Sequence, residues 1–161
     1  MKHSPQYNLE RMIQLAEEFF AAHKDPSQIS VDGRVMRRLR HIHPSTITEK
    51  RTRNGPIAWM LVIPTTQEIM NQFTSKKITE RDLYKNTPLH VPYQSIYLCS
   101  ALVLPEYRGK GLAKRMMIQA IKSIRKDHPI QSLFYWGFSA EGTKLAASVA
   151  RAFSLPLYKR G

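Results

Sequence analysis

From Val103 to Met117 the chain reads Val-Leu-Pro-Glu-Tyr-Arg-Gly-Lys-Gly-Leu-Ala-Lys-Arg-Met-Met, which sets Gly109 and Gly111 among the cations Arg108, Lys110, Lys114 and Arg115. Glycine has no Cβ, so a ligand can come close to the backbone at both positions. Cations around such a turn select an anion. The flanking residues say how the turn is held. Ser95 to Leu104 is mostly apolar or β-favouring, which fits a buried strand, and Pro105 closes it because proline cannot donate to a ladder. Leu112, Met116, Ala120, Ile121 and Ile124 then recur at spacings of four, four, one and three, the pattern of one face of a helix beginning near Gly109. N–H groups in the first turn of a helix have no partner within it, and the helix dipole favours negative charge there. That dipole contributes only about 0.3–1 kcal/mol at an exposed site. The ligand expected is therefore a multiply charged phosphate held by several N–H groups and a cation, a pyrophosphate in the first instance. Neither Gly-x-Gly-x-x-Gly nor the Lys-Ser/Thr of a P-loop is present, which argues against dinucleotide and nucleoside-triphosphate folds.

The run from Val103 to Ala113 resembles the acyl-CoA-binding motif of the GNAT superfamily of N-acyltransferases. That motif is Gln/Arg-x-x-Gly-x-Gly/Ala, filled here by Arg108, Gly111 and Ala113. The resemblance implies acetyl-CoA, or another acyl-CoA, as co-substrate, held by Leu102, Val103, Leu104, Arg108, Gly109, Lys110, Gly111, Leu112 and Ala113. It further implies transfer of the acyl group to an amine by direct attack on the thioester, with no metal. Backbone N–H groups around Leu102 to Leu104 would polarise the thioester carbonyl, as in relatives whose strand bulges there. A lysine-like amine, with a pKa of about 10.4, is mostly protonated at pH 7, so a base or a water chain must take a proton first. Many relatives protonate the departing thiolate with a Tyr of the last helix, but aligning Ala152-Phe153 with the family's usual Gly-Phe puts Ser148 at that position. Tyr158, in the last residues, and His90, in a loop before the central strand, are the other candidates for proton transfer, and Ser100 could contact the thioester. A non-catalytic acyl-CoA-binding sensor or partner-binding module is the alternative, which the missing Tyr favours.

The remaining elements can be read in order. Ser4-Pro5 suits a helix start, and Leu9, Met12, Ile13, Ala16, Phe19 and Phe20 form an apolar face that ends at Asp25-Pro26. Val35, Met36, Leu39 and Ile42 give a second helix over Val31 to Ile42, with most of its arginines outward. Thr46 to Thr52 and Ile57 to Ile63 read as strands joined at Asn54-Gly55, a type I′ hairpin signal. Thr65 and Glu68 suggest a capping box for a short helix carrying Ile69, Met70 and Phe73. A second short helix is expected from Glu80 to Lys85, with Glu68, Glu80 and Asp82 as surface charges. Asn86 to Gln94 reads as a loop, Leu133 to Phe138 as a strand, and Ser139 as the cap of a helix with Leu145, Ala146, Val149, Ala152 and Phe153 on one face. Leu155 to Lys159 adds a short last strand. The order fits an α/β (α+β) fold of GNAT type, a mixed central sheet flanked by helices. The family's first strand is missing, and a helical insertion, residues 64–94, precedes the central strand and is where acceptor specificity would be sought.

At 161 residues the chain is expected to form one domain, residues 1–161. Its single Cys, Cys99, excludes an internal disulfide and a cysteine zinc cluster, reads as a small buried hydrophobe, and suits a reducing, cytoplasmic compartment. No signal-peptide pattern and no run long enough to span a membrane is seen. His41-x-His43 has metal-like spacing but lacks thiol or carboxylate neighbours in sequence. The formal charge is +13, and seven Lys and Arg lie between Arg34 and Arg53 against Glu49 alone. With no aromatic interleaving and no nucleic-acid motif, a solvated basic face is the favoured reading of that cluster, ahead of nucleic acid. The expected partners are acyl-CoA and an unidentified amine, small molecule or protein; a homodimer stays open.

Overall fold

A computed structural model describes residues 5–22 and 33–161. Ser4, Asp25-Pro26 and Val31, assigned above to helix boundaries, lie outside them, as does the side chain of Phe20. Helix α1 spans Pro5–Ala22 and α2 spans Gly33–Ile42. Strands β1 (Ile47–Thr52) and β2 (Gly55–Thr65) follow, then α3 (Gln67–Thr74), α4 (Glu80–Asn86) and β3 (Ser95–Val103). After β3 come α5 (Leu112–Asp127), β4 (Ser132–Tyr135), α6 (Ala140–Phe153) and β5 (Leu157–Lys159). The strands form one mixed sheet in the order β1-β2-β3-β4-β5. Neighbours from β1 to β3 are antiparallel, and β3–β4 and β4–β5 are parallel. The expected mixed sheet flanked by helices is present, α1 is the first described element, and two helices separate β2 from β3. Among the described residues no helix is long and apolar enough to cross a membrane.

Several boundaries differ from the reading of the sequence. The β1–β2 turn is not type I′, which needs positive φ at both central residues. Thr52 pairs with Gly55, so Arg53 and Asn54 form the loop, and of these residues only Gly55 has positive φ, at 108°. The cap of α3 is Thr66, whose side chain accepts from Ile69 N–H. Thr65 instead ends β2, fully buried, with its hydroxyl bonded to that of Thr87 at 2.8 Å. The capping box belongs to α4, formed by Thr79 and Asp82. Strand β4 stops at Tyr135, short of Phe138. On α6 the buried residue near the end is Ala150, whereas Ala152 is exposed.

The inserted helices are core elements. Phe73 of α3 is fully buried and meets the rings of Tyr97, Phe134 and Trp136 at 4.9, 5.9 and 6.1 Å. The Arg160 guanidinium lies 4.4 Å from the Phe73 ring centre and 4.8 Å from that of Trp136, and it donates to the carbonyls of Phe73 and Ile78. A cation between two aromatic faces, with its N–H groups on carbonyls, ties the chain end to the α3–α4 connection. Glu80 is likewise not a surface charge. It is buried, because Glu80, Leu83, Tyr84 and Thr87 fall on one helical face that packs inward, and it accepts the Tyr97 hydroxyl at 2.6 Å.

His43 and His41 part company. His43 is buried, its Nε2 lies 2.7 Å from Asp127 Oδ2, and its Nδ1 accepts from Ser45 N–H, whereas His41 is exposed. Nearby, His128 Nδ1 accepts the Tyr93 N–H at 3.3 Å, which requires that nitrogen to be unprotonated. Burial, then the neighbouring His43, hold the His128 pKa below its ordinary 6.5, against the pull of Asp127. A base with a lowered folded pKa binds more protons when unfolded, so its contribution is present above pH 6.5 and is lost as pH falls through the folded value. The melting temperature should fall as the solution is acidified from about pH 7.5 to about 5.5, and His128→Asn, which keeps an acceptor near Nδ1, should flatten that fall. An equal fall in the variant would assign it to other groups.

Candidate functional site

Two features meet at the C-terminal end of β3. The first is the glycine turn. Leu104 is buried, its N–H donates to Ile57 O at 2.9 Å, and Pro105–Tyr107 then forms one 3-10 turn. Glu106 in that turn receives both terminal nitrogens of Arg11 on α1 at 2.6 Å, a bidentate pair that raises the Arg11 pKa and lowers that of Glu106. Arg108 Nε donates to Val103 O at 2.9 Å. Gly109 and Gly111 both have φ of 75°, the left-handed region that suits glycine. Helix α5 begins at Leu112, not near Gly109, because the chain needs two left-handed residues to turn from the strand; Gly111 is its cap and no side chain caps it. N–H groups of the first turn are therefore free of side-chain caps, beside Arg108 and exposed Lys110, Lys114 and Arg115. Leu112 and Ala113 are half-buried. The inward face of the helix runs through Met117, Ala120, Ile121 and Ile124, with Met116 only partly covered.

The second feature is a parting of the sheet. Leu61 pairs with Ser100 and Val62 with Leu98, so Cys99 is an extra residue in β3, a bulge. The ladder between β3 and β4 ends at Leu98 and Tyr135. Among the described residues, β3 therefore continues from Cys99 to Val103 with β2 on one edge and no strand on the other. Polar groups alternate between the two edges of a strand. Leu104 N–H points to β2, so the polar groups of Val103 and Ala101 point to the open edge, where Arg108 already meets Val103 O. The bulge lies at Cys99, earlier than the expected Leu102 to Leu104. Leu104 N–H is taken by Ile57 O, and Leu102 sits opposite Trp59 on the β2 side. Val103 alone of the three presents its N–H to the opening. The side chains of Leu102 and Leu104 join Met12, Ile57 and Trp59 in a cluster beneath α1.

At the fork itself stand Tyr97, Cys99 and Glu80. Burial and the Glu80 carboxylate push the thiol of Cys99 well up, and burial first of all does the same to the Tyr97 hydroxyl. Cys99 is half-buried by residue rather than wholly enclosed, and its raised pKa makes it a poor nucleophile. Across the opening, the rings of Trp136 and Phe138 lie 4.4 Å apart, just past β4.

The three candidates for proton transfer do not converge. His90 is exposed, with φ of 61°, in the loop before β3; the turn follows β3, roughly 26 Å further along the strand. Tyr158 is 47% exposed on β5 and pairs with Phe134, two strands from β3 and about 10 Å across the sheet. Ser148 is half-buried on α6. Ser100 is half-buried on β3, next to the bulge. Glu80 was missed as a residue at the fork, although its spacing with Leu83 and Tyr84 marks the inward face of α4. Nothing local in the sequence marks the bulge at Cys99.

Comparison with curated protein sequences gives no match. Among solved structures, the chain is similar to an aminoglycoside acetyltransferase, meta-AAC0020, from an uncultured soil metagenomic sample, in complex with sisomicin. Identity is 12%, coverage is 92% of this chain and 84% of that one, and the TM-score is 0.49. It is also similar to Chaetomium thermophilum Naa20 in complex with a bisubstrate analogue, at 17% identity over 65% of this chain and 48% of that one, with a TM-score of 0.38. Residues 79–153, from the cap of α4 to the last residue of α6, match the model of the acetyltransferase (GNAT) family. The resemblance first carried by Arg108, Gly111 and Ala113 is therefore to the GNAT acetyltransferases, and it extends over everything between those two points.

Proposed function

We propose that this protein is an acyl-CoA-dependent N-acyltransferase, with acetyl-CoA as the first choice of donor and an amine as acceptor. The observation that carries this reading is the junction of an uncapped α5, entered through two left-handed glycines, with the opening between β3 and β4. An elongated ligand with a phosphate group at one end and a reactive group about one strand-half away fits that pair of features. First-turn N–H groups and Arg108, Lys110 and Arg115 would hold the pyrophosphate, with Gly109 and Gly111 leaving the backbone bare. Val103 N–H, on the open edge, would orient and polarise the carbonyl. When bound, acyl-CoA supplies the thioester carbon to which the amine nitrogen bonds as the carbon–sulfur bond breaks. The proton lost by the amine must reach solvent or a base, and the thiolate must gain one. Ser148, on α6, and Tyr158, on β5, are the residues to test for the second task; His90 is remote from the turn. On this reading the chain acts as one domain.

Calorimetric titration with acetyl-CoA, free CoA and longer acyl-CoAs is the test. Saturable micromolar binding is expected, and no binding at millimolar ligand would overturn the reading. Ser148 in place of the family's Tyr favours one other reading, a binding module without turnover. Thiol release that rises with an added panel of primary amines supports the enzyme; tight binding with no release in the presence of any amine supports the module.

A further inference from the structure

The glycine turn accounts for only part of the positive charge, which arises from 25 Lys and Arg against 12 Asp and Glu. Helix α2 contains no acidic residue. Arg37, Arg40 and His41 are exposed on it, while Arg38 turns inward and donates to the carbonyls of Tyr84, Lys85 and Thr87. The C-terminal ends of α2 and α5 are tied together by two side-chain contacts: His43 Nε2 lies 2.7 Å from Asp127 Oδ2, and Ser45 Oγ donates to Ser123 Oγ at 2.8 Å. Lys122 and Lys126 are exposed and four residues apart, so they form one stripe flanking Ser123 and Asp127. At 1.5 Å per residue, Arg37 lies about 9 Å before His43 and Lys122 about 8 Å before Asp127, which gathers these five side chains over roughly 20 Å. The carboxylate between them, Asp127, is engaged by His43.

Compensation of helix dipoles does not explain the arrangement. That effect is confined to the last turn, and Arg37 and Lys122 lie before it. Nor does the glycine turn, which stands at the other end of the 16-residue α5, about 24 Å away. We propose that this joint α2–α5 face binds the phosphate backbone of a nucleic acid. A protein partner is the poorer fit, because the cores of such interfaces are enriched in aromatic residues and depleted in Lys. The exposed large apolar side chains among the described residues, Tyr7, Ile13, Phe138 and Tyr158, all lie off α2 and α5. Cations without an apolar centre match a regular array of phosphates, bound by charge rather than by base sequence.

The test is fluorescence anisotropy with labelled 20-base-pair DNA and RNA duplexes, and it does not depend on acyl transfer. Four or so phosphate contacts predict a fall of roughly a hundredfold in affinity between 50 and 200 mM salt. Arg37→Glu with Arg40→Glu, and separately Lys122→Glu with Lys126→Glu, should each weaken binding at least about tenfold and flatten the salt dependence, in variants whose circular dichroism is unchanged. Saturating acetyl-CoA, and the Gly111→Glu variant, should leave duplex binding as it was; the DNA and RNA arms identify which duplex is preferred. Absence of saturable binding at 50 mM salt would overturn the proposal, and so would wild-type affinity in both double variants. Displacement by acetyl-CoA would move the phosphates to the glycine turn, and equal binding of polyglutamate would make the face a site for an acidic protein; either result also overturns it.

Discussion

Gly111→Glu is expected to abolish acyl-CoA binding, with affinity reduced at least about a hundredfold in a protein that still folds. The substitution acts at the cap of an α5 that no side chain caps, where it would set a carboxylate against the pyrophosphate. Losing one or two charge-assisted hydrogen bonds, each worth about 1.5–3 kcal/mol, is enough for that factor. Two costs to folding accompany it. The φ of 75° puts a side chain in the left-handed region, about 1–2 kcal/mol, and a Cβ would stand 3.1 Å from Arg115 Nη1, the end of a flexible side chain that can move. Gly109→Ala supplies the contrast. Gly109 has the same φ, but a Cβ there meets nothing within 4 Å, so the backbone cost remains while the approach to phosphate stays open, and affinity should change by less than about fivefold. Calorimetry on both variants, with urea unfolding as a check on the fold, reads the difference. Wild-type affinity in folded Gly111→Glu would remove the turn as the phosphate site.

Phe73→Ala should cost about 3–5 kcal/mol of stability, out of the 5–15 kcal/mol usual for a domain. Phe73 is fully buried and meets three rings and the Arg160 guanidinium, so truncation opens a cavity at the point where α3, β3, β4 and the chain end come together. The expected signature is a lower urea midpoint at unchanged slope. A loss under about 1 kcal/mol would mean that α3 contributes little to the core. The geometry argues otherwise, since the same segment delivers Glu80 to Tyr97 and Met70 to the hydroxyls of Ser95 and Ser132.

Much of the architecture could be read before any coordinates. The strand before Pro105, the glycine turn and the Ser139 cap of α6 stand where the residues imply, because each rests on a neighbour within about four positions, whereas α5 starts at Leu112 and turns Met117 rather than Met116 inward. Misreadings arose where two local signals competed. Thr65 and Thr66 are both good caps, and the choice went to Thr66 because Thr65 extends β2 and bonds Thr87. Asn54-Gly55 favours a type I′ turn in isolation, but the register of β1 against β2 places Gly55 in the strand.

The strand before Pro105, the glycine turn and the helix after it were thus legible in residue order, since glycines, prolines and hydrophobic period act over a few residues and need no distant partner. The bulge at Cys99, the parting of β3 from β4 after Leu98, the burial of Glu80 and the bond between His43 and Asp127 were not. Each depends on which residue lies opposite another after the sheet has closed, across separations of 17 to 84 residues for the two side-chain pairs. Their energies are shared among strand pairing, ring packing and desolvation, so no short stretch of sequence carries their signature.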